Sequence, residues 1–272
     1  MPGRHDMNAI DEPIVERFTR DGFVVMRDLF SWEERRNISA WVSEIQEWPE
    51  TPYKWMQYFE PNHVSGSKLL CRTENFIPYH TGLRNLLCGE KVLSVVGALL
   101  GEPAFLYKDK INFKLPGGNG FEPHQDAPAY TEQGQSYHVT ALIAADPATV
   151  ENGCLEVVSE GHMLGVLPHT EGNGAIPGHL VSRMEWIPLI LEAGDVAFFG
   201  SYLPHRSGPN NTHDPRRSLY ITYNGVSVGD KHDAYYIDKR RMFPPDCERE
   251  PGKDYSEGAR VYNLANPIRY FD

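Results

Sequence analysis

The sequence has no uninterrupted apolar run of about eighteen residues, and its first eleven residues are polar and charged. Neither a membrane span nor a secretory leader is expected, and the expected compartment is the cytoplasm. Cysteine is scarce: Cys71, Cys88, Cys154 and Cys247 lie far apart with no C-x-x-C pair, which speaks against a disulfide framework or a zinc knuckle. Positive charge is also in deficit, with 26 Lys and Arg against 37 Asp and Glu and a net charge of -11. Extended binding to nucleic acid or to an anionic membrane needs a concentrated basic surface, so neither partner is expected. A small anionic substrate remains open, because a few local cations can form an anion pocket in an acidic protein. Internal repeats, low-complexity tracts and convincing linkers are missing too. The expectation is one domain over residues 1–272, and no signal bears on oligomeric state.

What is present can build a core, since 40% of the 272 residues are hydrophobic and 11% aromatic. Glu12 to Arg20 reads as a short helix and Gly22 to Met26 as a strand. Ser31 with Glu34 three residues later is a capping box, and Ile38, Trp41, Val42 and Ile45 follow at helical spacing. Tyr53 to Glu60 and Arg72 to Phe76 are aromatic and polar and fit neither period; dense aromatics are usually packing, with a pocket wall as the alternative. Val92 to Leu100 is an apolar helix ended by Gly101.

From there the pattern changes to strands. Phe105 to Leu115 alternates, with Lys108, Lys110, Asn112 and Lys114 on one face and Asp109, Ile111 and Phe113 on the other. Pro116-Gly117-Gly118 is a turn. Further strands are expected at Tyr137–Ala145, Cys154–Val158, Trp186–Leu191, Val196–Gly200 and Arg217–Tyr223. Helices first and many short strands after suggest a mainly β fold with flanking helices, an antiparallel double-sheet barrel. The expected parts are a helical portion over about 12–101, the barrel over about 104–226 and a covering segment over about 227–272. The tail from Gly229 is expected to be loop-rich, with Lys239, Arg240 and Arg241 on a solvated face.

One triplet carries chemistry. In an extended chain His124 and Asp126 point to the same side and could share an ion. A distal His205 completes two imidazoles and a carboxylate, the ligand set of non-haem Fe(II) oxygenases. His-x-Asp alone is weak, since such triplets arise by chance. The remaining histidines are expected to be structural: His138 could face inward, His162 is expected to make a structural hydrogen bond, and His63, His80, His169, His179, His213 and His232 lack a partner at ligand spacing.

Taken in order, Asp21-Gly22-Phe23-Val24-Val25, His124-Gln125-Asp126, Glu151-Asn152-Gly153-Cys154-Leu155, Gly161-His162, Gly194-Asp195, His205-Arg206-Ser207-Gly208-Pro209-Asn210 and Pro215-Arg216-Arg217 resemble the phytanoyl-CoA dioxygenase family. The resemblance spans almost the whole chain. It implies a double-stranded β-helix (jelly-roll, cupin-like) core, Fe(2+) as cofactor on His124, Asp126 and His205, and 2-oxoglutarate and O2 as co-substrates. It implies that Arg216 and Ser207 hold the distal carboxylate of 2-oxoglutarate and that Lys108 and Asn112 contact the same molecule. Arginine suits that carboxylate by its planar, permanent, bidentate charge. Arg217 is the alternative, although it faces the other way on a regular strand. The implied reaction is oxidative decarboxylation of 2-oxoglutarate coupled to hydroxylation of an unactivated C–H bond. Asp126 favours hydroxylation over halogenation, since halogenating relatives carry a small residue there.

The segments around Lys54–Glu60, Arg72–Phe76, Lys108–Lys114 and Tyr235–Pro245 are similar to bacterial family members that hydroxylate 2-aminoethylphosphonate. Arg72, Lys108 and Lys110 are candidates for the phosphonate, and Glu60, Tyr53, Trp55 and Tyr58 for the ammonium, with Asn75 beside them. An acyl-CoA is the alternative substrate. A metal-binding cupin-like hydrolase and a non-catalytic homologue are the alternatives of another class.

Overall fold

A computed structural model describes residues 12–131, 137–170 and 174–262. The amino-terminal part runs α1 (Glu12–Asp21), β1 (Phe23–Met26), α2 (Trp32–Gln46), β2 (Met56–Pro61), β3 (Lys68–Glu74), α3 (Thr81–Leu87) and α4 (Glu90–Leu100). Then come β4 (Ala104–Lys114), β5 (Phe121–His124), α5 (Ala127–Thr131), β6 (His138–Ala144), β7 (Leu155–Val157), α6 (Gly178–Val181), β8 (Ile187–Pro188) and β9 (Val196–Gly200). The chain closes with β10 (His205–Ser207), β11 (Arg216–Gly225), α7 (His232–Met242) and α8 (Ser256–Tyr262). No helix among the described residues is long and apolar enough to cross a membrane.

The strands form two antiparallel sheets, a larger one in the order β1-β9-β6-β11-β4-β3-β2 and a smaller one in the order β5-β10-β7-β8. Each face of the larger sheet is buried against a different neighbour. Ile111, Phe113, Val139, Ala141, Ile143, Val196, Phe198, Leu219 and Ile221 pack towards α1, α2, α3 and α4, where they meet Phe18, Ile38, Val42, Leu83 and Val96. Leu142, Ala144, Ala197 and Phe199 point the other way, onto Leu155 and Val157 of the smaller sheet and Leu189 just after β8. Strand alternation sends neighbouring residues to the two cores.

Local signals account for the helix ends. Ser31 Oγ accepts from the Glu34 amide while the Glu34 carboxylate accepts from the Ser31 amide, so two of the first-turn donors of α2 are satisfied. Gly101 ends α4 at φ 77°, a left-handed conformation that a side chain would disfavour. After β4, Leu115 O accepts from Gly118 N at 2.7 Å across the expected turn, with Gly117 at φ 78°.

Three expectations are corrected. The segment 12–101 is not purely helical: Met56–Pro61 and Lys68–Glu74 are strands that extend the larger sheet beyond β4. Both of their faces are largely covered, so the alternation that marks a half-exposed strand is lost. The expected strand over Trp186–Leu191 shrinks to Ile187–Pro188, with Leu191 making an isolated bridge to Ala148. The covering tail is not loop-rich, for it carries α7 and α8. Lys239 is buried on α7 rather than solvated. Residues 263–272 of that segment lie outside the described residues.

Candidate active site

The two sheets bring His124 and His205 together directly. They are cross-strand partners of β5 and β10, with ring centroids 4.2 Å apart. Each ring is oriented by a carbonyl two residues upstream in the chain: His124 Nδ1 lies 2.6 Å from Glu122 O and His205 Nδ1 lies 2.9 Å from Leu203 O. These contacts put the proton on Nδ1 and leave each Nε2 lone pair available to a metal. His124 Nε2 is buried with no hydrogen-bond partner among the described residues. Burial, and then the neighbouring His205, push the His124 imidazole down to about 3, so it is neutral as a ligand must be.

Asp126 reaches the same point by a different route from the one expected. β5 stops at His124, and Asp126 stands on the bend that opens α5, with its Oδ1 4.0 Å from His124 Nε2. Gln125 explains the bend. Its amide nitrogen donates to Gly165 O and Tyr202 O at 2.8 and 2.6 Å, and its oxygen accepts from Leu167 N at 2.8 Å. Ala127 N is tied to Ser201 O at 2.8 Å. The chain therefore turns away from the sheet while the carboxylate turns back. Burial opposes ionisation of Asp126, but His205, His124, Lys108 and Lys110 together hold it below the usual carboxylate range. One potential ligand atom from each of His124, Asp126 and His205 lies within 4.8 Å of the others, a donor set that fits Fe(II).

The inward row of β4 borders this triad, and its partners come from the strands on either side. Lys110 pairs with Glu74 of β3 and Tyr220 of β11, Asn112 with Arg72 and Ser218, and Lys114 with Arg216. A cavity of about 20 Å³ lies between the triad, Lys110, Asn112, Leu155, Ser207 and Tyr220. A second, of about 30 Å³, shares Lys110 and Asp126 with it and is closed by Arg72, Glu74, Lys108, Tyr130, Tyr235, Lys239 and Tyr262.

Near the first cavity, Arg216 is 1% exposed, and its guanidinium donates to Gly153 O at 2.6 Å while Nε is buried without a partner among the described residues. Asn112 Oδ1 is likewise buried without one. Lys114 donates to Ser207 Oγ at 2.8 Å and to Gly153 O and Gly208 O. Burial and Arg216 drive the Lys114 ammonium well below its ordinary range. Gly153 permits this crowding: it sits at φ 76°, and a Cβ there would come within 2.2 Å of Gly208 O. Arg217 points to the opposite face and clasps Asp146 through Nε and Nη2 at 2.7 and 2.8 Å.

The second cavity is rich in cations. Glu74 accepts from Lys239 at 2.5 Å and from Arg72 at 3.3 Å, and although burial opposes it, these cations and Lys108 hold its carboxyl down to about 2. Lys108 and Lys110 have no carboxylate within ion-pairing distance among the described residues; their ammoniums lie over the rings of Tyr130 and Tyr220 at 5.3 and 4.9 Å. Burial, followed by Arg72 and Lys108, drives Lys110 well below its ordinary range.

Of the residues expected to contact substrate, Arg72 and Lys110 are in this chamber, and Tyr58 borders it through Lys239. Four others are elsewhere. Tyr53 is 79% exposed, and Trp55 packs on Trp48 at 4.2 Å, outside the barrel. Glu60 accepts from the Asn119 backbone and side chain, and Asn75 takes a turn at φ 57° after β3. Lys108, expected beside 2-oxoglutarate, lines the chamber of Glu74 and Tyr235, because four strand residues, roughly 13 Å, separate it from Asn112. Sequence reasoning missed Glu74, Lys239, Tyr130, Tyr235 and Tyr262 as chamber walls, and Gln125 as the group that shapes the bend. His138 does face inward, against Tyr107 and Tyr130, and burial and Lys108 push it down to about 3. His162 makes the expected structural contact, 3.0 Å from Thr19 O.

Residues 18–218 match the phytanoyl-CoA dioxygenase (PhyH) family over most of the chain. The chain belongs to that family. As a PhyH protein it is an Fe(II)- and 2-oxoglutarate-dependent dioxygenase that acts on a small molecule. It is 45% identical to a 2-aminoethylphosphonate dioxygenase from an uncultured bacterium, with 92% of this chain and 95% of that one covered. It is also 45% identical to a methylphosphonate hydroxylase from Gimesia maris, covering 84% and 86%. The fold is shared with EctD from S. alaskensis, solved with 2-oxoglutarate and 5-hydroxyectoine, at a TM-score of 0.66 and 20% identity, covering 80% of this PhyH chain and 77% of EctD.

Proposed function

We propose that this dioxygenase hydroxylates a small phosphonate at the carbon next to phosphorus, with 2-aminoethylphosphonate, giving 2-amino-1-hydroxyethylphosphonate, as the first substrate to test. The observation that carries the reading is the charge of the second cavity. Among the described residues, Arg72, Lys108, Lys110 and Lys239 face one another there around a single carboxylate other than Asp126, that of Glu74. Buried cations in such excess call for an anionic partner, and a phosphonate dianion accepts several charge-assisted bonds at once. A long acyl-CoA is disfavoured, since the lining of the second cavity is charged and polar rather than the apolar channel an acyl chain requires.

In this reading His124, Asp126 and His205 hold Fe(II), which when bound supplies the activation of O2 that couples decarboxylation of 2-oxoglutarate to C–H hydroxylation. One oxygen atom enters succinate and the other the product. Arg216 and Ser207 take the distal carboxylate of 2-oxoglutarate, with Lys114 orienting Ser207, and Asn112 lines the same cavity, where its side-chain NH2 is the group that can donate to the co-substrate. Lys108, Lys110 and Arg72 hold the phosphonate beside the iron ligands. The same proposal places the reaction in a reducing cytoplasm, in keeping with four unbridged cysteines.

The test is an anaerobic titration with Fe(II) and 2-oxoglutarate, followed by admission of air with 2-aminoethylphosphonate, methylphosphonate, a small amino acid or an acyl-CoA. A weak visible charge-transfer band, then succinate and a phosphonate heavier by one oxygen, are expected. Succinate no higher with either phosphonate than without substrate would overturn the reading.

A further inference from the structure

The walls of the second cavity already contain an ammonium where a substrate would need to put one. Lys239 arrives from α7, 165 residues after Glu74, and donates to Glu74 Oε2 at 2.5 Å. It also lies over the rings of Tyr58, Tyr235 and Tyr262 at 5.1, 5.9 and 5.8 Å. A carboxylate and surrounding aromatic faces are the groups that bind an organic ammonium. The other oxygen of Glu74 is engaged by Arg72. Glu74 and Lys110 are direct cross-strand partners, so their Cβ atoms stand about 5 Å apart. That spacing suits a two-carbon substrate with its phosphonate at Lys110 and its amine at Glu74.

We propose that Lys239 is a specificity-determining residue: its ammonium occupies the carboxylate and aromatic faces that would receive a substrate amine, and so lowers the margin by which the enzyme favours 2-aminoethylphosphonate over a phosphonate without an amine, of which methylphosphonate is the smallest. The inference rests on the phosphonate reading above and goes beyond it. An incoming amine must share Glu74 with Lys239 at short range inside a closed cavity, where like charges repel far more strongly than in water. A methylphosphonate ends before that point and gains the extra cation without the conflict.

The experiment uses the Fe(II)-loaded enzyme with saturating 2-oxoglutarate. It compares kcat/KM for 2-aminoethylphosphonate and methylphosphonate in the wild type, Lys239→Ala and Lys239→Met, with anaerobic calorimetric Kd values for the same pair. The ratio of amine-bearing to amine-free substrate should rise by about tenfold or more in Lys239→Ala, in both readouts. Lys239→Met fills much of the same space without charge and keeps Arg72 on Glu74, so it serves where the alanine variant does not fold; its ratio should rise in the same direction. A ratio within about twofold of wild type in whichever variant retains the wild-type circular dichroism overturns the inference. Turnover of neither phosphonate by the wild type sinks the proposed function and this inference with it; turnover with an unmoved ratio sinks the inference alone.

Discussion

At the scale of single residues, adjacent arginines have opposite fates. Arg216 turns inward with its Nε unsatisfied, and Arg217 turns outward to Asp146. Loss of a charged hydrogen-bonding partner costs about 1.5–3 kcal/mol, so Arg216→Ala should raise the apparent KM for 2-oxoglutarate by about 10- to 100-fold. Arg217→Ala should leave that constant in place and lower the thermal midpoint instead. Steady-state kinetics with varied 2-oxoglutarate decides, and the reverse result would exchange the two roles. Two imidazoles and a carboxylate were legible in the sequence as His124, His205 and Asp126, although Asp126 turns back from a bend rather than along a strand, and Ser207 and Arg216 stood out only through the family resemblance. Glu74 and Lys239 were not legible, because neither residue type suggests burial; each is compensated by the other across a distance in sequence that no local pattern spans.

At the scale of elements, α7 is the part least visible in advance. His-Asp-Ala-Tyr-Tyr-Ile-Asp-Lys-Arg-Arg-Met is a polar helix whose buried face includes His232, Tyr235, Tyr236 and Lys239, so apolar periodicity does not reveal it. It is fastened to the outer face of β4 by Asp109. That carboxylate accepts from His232 Nε2 at 2.7 Å and from the Phe76 and Ile77 amides, while the Tyr236 hydroxyl donates to Asp109 O. One residue between Lys108 and Lys110 thus joins the end of β3, β4 and α7. Burial lowers the basicity of His232, but Asp109 and then Asp233 outweigh it and raise it above the ordinary histidine value. A raised folded-state value means that the pair stabilises fully below about pH 6.5 and loses its contribution as pH rises through the folded value. His232→Gln should therefore lower the urea midpoint more at pH 6 than at pH 9. Equal deficits at both pH values would show that His232 acts by packing alone.

At the scale of the whole molecule, one sheet separates two environments. One of its faces meets the helices through an apolar core, and the other carries the charges of the chamber. Buried cations without partners are costly in the empty protein, which ties function to a loss of stability. Lys110→Met should raise the ligand-free thermal midpoint, about 1 kcal/mol corresponding to roughly 2–4 °C at this size, and should abolish phosphonate turnover. Calorimetry without ligands checks the first part; a lowered midpoint would mean that Lys110 is compensated in the empty chamber. The helical layer was legible from its cap at Ser31 and its stop at Gly101. The added strands β2 and β3 were hidden by burial on both faces.

The row on β4 also works as a ruler. Lys108 to Lys114 spans six residues, roughly 20 Å, and in the proposed reading it sets the distance between the substrate end and the co-substrate end of the site. Deleting one residue within that span would exchange the two rows, turning Ile111 and Phe113 towards the ligands and the lysines into the helical core. A change of chain length in the turns at either end of β4 leaves this interval in place, whereas one inside the strand does not.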